Sequence, residues 1–286
     1  MAALEIFQSM PEEQEKESAK AAEPQVRLID THAHIDGEAF DGDRAEMLER
    51  AKEAGLVAVI NFGDSMASSE RGVELAAEYE MVYTGVGVHP EEAVPFTAAD
   101  DDRLVAWTQE KRVIAIGEIG LDYYWEKDED KRKLQRDIFV RQLDLARQLH
   151  LPVCIHDREA HGDMMKILKT EGKGIPGVMH CYSGSYEMAM DLLRLGFYLG
   201  IDGPLTYKNA VVLPQMLPKL PADRLLVETD SPYLTPMPLR GKVKRNEPAF
   251  VRYTAECAAR LRGESLEDFA AQTTRNACDL YGLTLT

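Results

Sequence analysis

From Val26 onward, eight short runs rich in Val, Ile and Leu alternate with segments of helical periodicity. The runs read VRLID, LVAVINF, MVYTGVGV, VIAIGEIG, PVCIH, GVMHC, FYLGIDG and RLLVETD. They are nearly continuous in apolar residues, the pattern of strands buried on both faces. In DKRKLQRDIFVRQLDLARQLH, Leu134, Ile138, Leu145 and Leu149 recur near multiples of the helical turn. DRAEMLERAKEAG opens on an acidic cap candidate, Asp43, and stops at Gly55. ESLEDFAAQTTRNACDLYGL predicts one further helix closing the C-terminus. Strands alternating with helices over roughly 250 residues predict an α/β fold, a single-domain (β/α)8 TIM barrel. A doubly wound open sheet is the competitor, but no G-x-G-x-x-G or G-x-x-x-x-G-K-[ST] follows any run.

Length and charge narrow the class. The 286 residues supply a large core without staples. Cys154, Cys181, Cys257 and Cys278 form no C-x-x-C and follow no secretory signal, so they read as reduced thiols of a cytoplasmic protein. Residues 1–25 turn acidic after Pro11 and read as a flexible tail, leaving 26–286 as the barrel domain. No apolar run reaches the ~18 residues a membrane helix needs. The formal charge of −16 argues against a broadly basic nucleic-acid surface. Any phosphate site must then be local, or supplied by metal.

The residues at the predicted strand ends are more specific. His32 and His34 follow the first strand, His89 the third, Glu118 the fourth, His156 the fifth, His180 the sixth and Asp230 the eighth. In a barrel these ends surround one face, where active sites are built. His150, closing a helix, and His161, opening the next, read as structural. Taken singly, each strand-end residue has an ordinary reading: an H-x-H pair as hydrogen-bonded histidines, Glu118 and Asp230 as helix caps or partners of arginine. Together, four histidines and two carboxylates converging on one mouth read as a metal site, because a cation offsets the cost of buried carboxylates. The set is rich in N and O and lacks thiolate, since Cys181 should point away from His180. Zinc, manganese, cobalt or iron suit it better than magnesium alone. Six ligands exceed the need of one tetrahedral ion, so two divalent ions bridged by Glu118 account for the surplus, and the chemistry read from them is hydrolysis.

The chain thereby resembles the TatD-type metal-dependent deoxyribonucleases, within the wider amidohydrolase-like barrels. The resemblance spans about Val26 to Leu283 and rests on DTHAHID, GVHP, GEIGLDYY, H-x-R at His156–Arg158, HCYSGS, TYKNA and ETDSPYLTP. RNEP and TTRNACDLYG belong to the same pattern. It implies cleavage of DNA phosphodiester bonds, exonucleolytic on single strands or strand ends. His32, His34, Glu118 and Asp230 would hold one ion, and His156 and His180 the second with Glu118 shared. Asp230 would take a proton from the attacking water. Other branches of the superfamily bridge their metals with a carboxylated lysine on strand 4, whereas this chain has Glu118 there. One departure is Glu91, where many relatives have a second histidine after GVHP.

On the substrate side, His89, Arg158, Lys208 and Arg245 are candidates. Loops after strands 7 and 8 commonly hold phosphate in barrels, and LRGKVKRNEP places Arg240, Lys242, Lys244 and Arg245 there. The same run reads alternatively as a solvated loop. DYYW offers aromatics either for base stacking or for core packing, and Asp122 reads as a partner of a metal-bound histidine. DNA is the expected partner, membranes are not, and a monomer is expected. The alternative function is hydrolysis of a small amide or ester, or of aminoacyl-tRNA, on the same site. A purely structural metal site would not need Asp230.

Overall fold

The computed structural model describes residues 26–93 and 97–285, so the segment read as an acidic tail, 1–25, lies outside the described residues. Eight parallel strands form one sheet in chain order. They are β1 (Leu28–Ala33), β2 (Leu56–Phe62), β3 (Val82–Val86), β4 (Val113–Asp122), β5 (Val153–Arg158), β6 (Gly177–Met179), β7 (Tyr198–Ile201) and β8 (Leu225–Val227). The helices alternating with them are α1 (Arg44–Glu53), α2 (Met66–Glu78), α3 (Ala98–Trp107), α4 (Glu129–Leu149), α5 (His161–Thr170), α6 (Tyr186–Arg194) and α7 (Val212–Met216). Two helices follow β8, namely α8 (Val251–Arg262) and α9 (Leu266–Tyr281).

The sheet curls until its ends meet. Ala33 and Ser231 form a parallel bridge. The His34 N–H donates to the Ser231 carbonyl at 2.7 Å, and the Asp230 N–H donates to the His32 carbonyl at 2.9 Å. The chain is therefore a single-domain, nearly closed (β/α)8 barrel, as the alternation of strands and helices predicts.

Two apolar layers hold it. Residues two apart on a strand share a face, so Ile60 and Phe62 of β2 turn inward with Cys154, Val178 and Leu226. Val59 belongs, with Leu75, Phe139, Leu143 and Leu192, to the larger layer between sheet and helices. In α4, the Asp128 carboxylate caps the N-terminus by accepting from the Asp130 and Lys131 N–H groups. His150 ends the helix in the left-handed region at φ 56°, the structural role expected of it. Two buried glutamines of α4 reach the sheet rather than solvent. Gln142 accepts from the Val88 N–H at 2.8 Å and donates to its carbonyl at 3.0 Å. Gln135 accepts from the Asp122 N–H and donates to the Pro90 carbonyl. These bonds fix the chain on either side of His89 and at the end of β4.

Some boundaries differ from the sequence reading. Glu118 lies inside β4, which continues to Asp122, and His32 lies inside β1. Asp43 precedes α1 but makes no side-chain cap, because Arg50 and Arg245 both claim its carboxylate. A guanidinium outcompetes a backbone N–H for an ionised acceptor.

Candidate metal centre

The six residues read as ligands converge at the C-terminal mouth of the barrel, and Glu118 stands at their centre. It is 2% exposed, and its two oxygens face different histidines. Oε2 lies 3.4 Å from Nε2 of both His32 and His34. Oε1 lies 2.8 Å from His156 Nδ1, 3.7 Å from His89 Nε2 and 3.8 Å from His180 Nε2. Asp230 Oδ1 completes the first side, 3.4 Å from His34 and 3.7 Å from His32. Three overlapping triads result, each with ligand atoms within 4.8 Å of one another: His32–Glu118–His180, His32–His34–Asp230 and His89–Glu118–His156.

Close backbone approach makes this possible. Gly120, at φ 148°, lets β4 lie against β5 between Glu118 and Asp122, where a Cβ would meet the His156 carbonyl oxygen at 2.0 Å. Asp230 itself adopts φ 55°, a left-handed backbone uncommon for non-glycine residues.

The outer partners orient the imidazoles. The Phe62 carbonyl accepts from His34 Nδ1 at 2.8 Å, which turns Nε2 toward the cluster, and against burial Asp230 and Glu118 raise this imidazole well above its ordinary value. Glu228 Oε1 does the same for His180, 2.8 Å from Nδ1, while accepting from the Cys181 N–H at 2.7 Å. Cys154 Sγ sits 3.2 Å from His32 Nδ1, the nitrogen away from the cluster, which makes the thiol a partner and not a ligand. His156 is bracketed by Glu118 and by Asp122 Oδ2, 3.2 Å from Nε2.

Electrostatics follow from crowding. Burial depresses His32 and pushes His89 down to about 3, so both stay neutral with a lone pair to offer. Burial also opposes charge on His156 and His180. Asp122 and Glu118 nevertheless raise His156 to about 9, and Glu228 raises His180 to about 10. Burial disfavours the Glu118 carboxylate, yet the surrounding histidines hold it well below the ordinary range. Nitrogen and carboxylate donors, several neutral and all sharing one small volume, fit divalent cations. A cation would displace the protons that His156 and His180 hold.

His89, read as a substrate contact, lies instead within reach of Glu118. Glu228 escaped the sequence reading although it stands two residues before Asp230 on the same inward side as Leu226. Asp122 takes the role of histidine partner, while its Oδ1 accepts from the Tyr124 and Trp125 N–H groups at 2.8 and 2.9 Å. Lys208, Arg240, Lys242 and Lys244 are exposed on the loops of this face, and Arg158 is exposed at the end of β5. Arg245 is not free for phosphate. Its guanidinium holds both oxygens of Asp43, at 2.6 and 2.7 Å, and stacks on Phe40.

The exposed large apolar side chains of the described residues gather here too. Tyr124 and Trp125 follow β4, Tyr186 opens α6, Val211 and Val212 follow β7, and Tyr233 and Val243 follow β8. A cavity of about 1150 Å³ lies at the opposite end of the barrel among Leu56, Tyr83, Ile114, Pro152 and Leu283. None of the metal-site donors lines it. Among the described residues no helix is long and apolar enough to cross a membrane.

The family described as TatD related DNase matches residues 29–282. The chain is 41% identical over 259 residues to the uncharacterized metal-dependent hydrolase YabD of Bacillus subtilis, covering 89% of this chain and 98% of that one. It is 37% identical over 258 residues to a protein of Cronobacter sakazakii named 3'-5' ssDNA/RNA exonuclease TatD, covering 89% and 97%. Among solved structures, YJJV, a TatD homolog from Escherichia coli, superposes with a TM-score of 0.84 at 30% identity, covering 91% of this chain and 99% of its own.

Proposed function

Because the chain belongs to the TatD related DNase family of metal-dependent hydrolases, we propose that it hydrolyses phosphodiester bonds at the ends of single DNA strands. One observation carries the reading: the two oxygens of Glu118 face two separate sets of histidines. That division suits a pair of divalent ions, one held by His32, His34, Glu118 and Asp230, the other by Glu118, His156 and His180. His89 is within reach of the second set. Bound there, the ions would supply Lewis acidity to a phosphoryl oxygen and acidify a water.

The protein's own groups do the rest. Asp230 is the proton acceptor in this reading. Its side chain is 14% exposed, against 3% for that of Glu118, so it meets the solvent side of the cluster. Burial opposes its ionisation, but His34 and His180 keep its carboxyl below the ordinary range, so that it stands ionised. Glu228 and the Phe62 carbonyl hold His180 and His34 in one tautomer. Lys208, Lys242, Lys244 and Arg158 supply local cations on a chain of formal charge −16. That same charge favours a second reading, hydrolysis of a small amide or ester on the same groups.

The test is elemental analysis of the purified protein, then chelation, then restoration of single metals with a short single-stranded DNA as substrate. Chelation should abolish cleavage, and one or more of zinc, manganese, cobalt, iron or magnesium should restore it. Cleavage that survives complete metal removal overturns the reading. A fully loaded protein that cuts no DNA but hydrolyses a small ester shifts it to the second.

A further inference from the structure

Two exposed aromatic features stand on opposite sides of Glu118. Tyr233 is 61% exposed and meets His34 edge-to-face at 6.1 Å, on the side that Oε2 faces. Trp125 is 62% exposed and rests edge-to-face on Tyr124 at 4.7 Å. Their backbone N–H groups are held by Asp122, the carboxylate that also holds His156, on the side that Oε1 faces. Arg158 lies 4.1 Å over Tyr124 and 5.6 Å from Trp125.

A core explanation fails for Trp125, whose indole is mostly in water. Leaving so large an apolar surface uncovered is costly, and a patch of this kind on the mouth of a site marks a ligand face. The ligand must offer flat apolar surface together with negative charge, because exposed cations occupy the same loops. Unpaired bases on a phosphate backbone do both, whereas a duplex hides its base faces.

Resting on the phosphodiester reading, we propose that Tyr124–Trp125 and Tyr233 are base-stacking platforms flanking the metal cluster, which select strands with unpaired terminal bases. One base would stack on each side of the scissile phosphate. Arg158 stiffens the first platform and adds a cation beside it.

The chain has two tryptophans, Trp107 and Trp125, so indole fluorescence tests this directly. Metal-loaded protein is titrated with a phosphorothioate-linked oligothymidylate, with an abasic strand of equal length, and with a blunt duplex. Stacking predicts quenching by the thymidylate alone, and loss of that quenching in Trp125→Phe with affinity retained. Trp125→Ala should weaken thymidylate binding by roughly 5- to 150-fold, the span of one base stack removed, and bind the abasic strand unchanged. Equal affinity for normal and abasic strands, or a Trp125→Ala variant that binds as wild type does, overturns the platform. Cleavage of the natural thymidylate is followed in parallel. Cleavage without quenching sinks the platform alone, whereas neither binding nor cleavage with any metal sinks the nuclease reading and the platform with it.

Discussion

Asp230 combines a left-handed backbone with a carboxylate oxygen within 3.9 Å of three imidazoles. Such strain persists only where the surroundings over-determine it, here through the bond from its N–H to the His32 carbonyl. Asp230→Asn keeps the volume and a weak ligand but is a poor proton acceptor. Turnover should fall by about 10²–10⁴-fold with circular dichroism unchanged, and near wild-type turnover with metal bound would move the proton elsewhere. Gly200 tests the partner of His180, since a Cβ there would lie 2.4 Å from Glu228 Oε2. Gly200→Ala should cost about 1–3 kcal/mol of stability and lower metal content, measured by thermal unfolding and elemental analysis. Full metal content at an unchanged melting temperature would show that Glu228 yields without consequence. The convergence of His32, His34, Glu118, His156, His180 and Asp230 was legible in the sequence, because all six lie on or just beyond strands that open on one mouth of the barrel. Glu228 was hidden by its neighbour Asp230, since a carboxylate two residues earlier on an apolar strand does not announce which imidazole it will face. The Asp43 partner of Arg245 was hidden as well. A basic loop reads as phosphate-seeking until the fold supplies Asp43.

At the scale of elements, the alternation of buried runs and amphipathic segments sufficed for the barrel, but the ends of the elements did not follow from it. β6 and β8 span three residues each although GVMHC and RLLVETD are longer runs, because just beyond them the Cys181 and Thr229 N–H groups turn to the side chains of Glu228 and Asp30. The β1–β8 seam shows this best. Asp30 is fully buried and accepts from the Thr229 N–H at 2.9 Å and from its hydroxyl at 2.6 Å, and the same hydroxyl accepts from the Ser231 N–H at 3.1 Å. Thr229→Val keeps the shape and removes the hydroxyl, leaving two buried polar groups short of a partner. We expect a loss of about 1–3 kcal/mol, read as a lower urea midpoint at constant slope. An unchanged midpoint would mean that the seam is held by backbone pairing alone.

For the molecule as a whole, the formal charge of −16 sets the terms of binding. The acidic surface repels a polyanion beyond a Debye length, about 8 Å at physiological salt, so attraction depends on the few cations at the mouth. Neutralising Lys208, Lys242 and Lys244 together should weaken DNA binding and reduce the salt slope by about 0.7 for each phosphate no longer neutralised, with metal content unchanged. A slope that does not move would reduce these lysines to solvated surface. Arg245→Ala should instead lower stability, because it removes the Asp43 pair. The seam also has a consequence in time. Asp30 and Thr229 are 199 residues apart, so a ribosome adding 5–20 residues per second releases His32 and His34 roughly 10–40 s before it has made Asp230. A chain cut short anywhere before β8 holds imidazoles without their last carboxylate and a barrel without its closing edge. On the role proposed for Asp230, hydrolytic competence waits for β8, and chains halted before it should be inert.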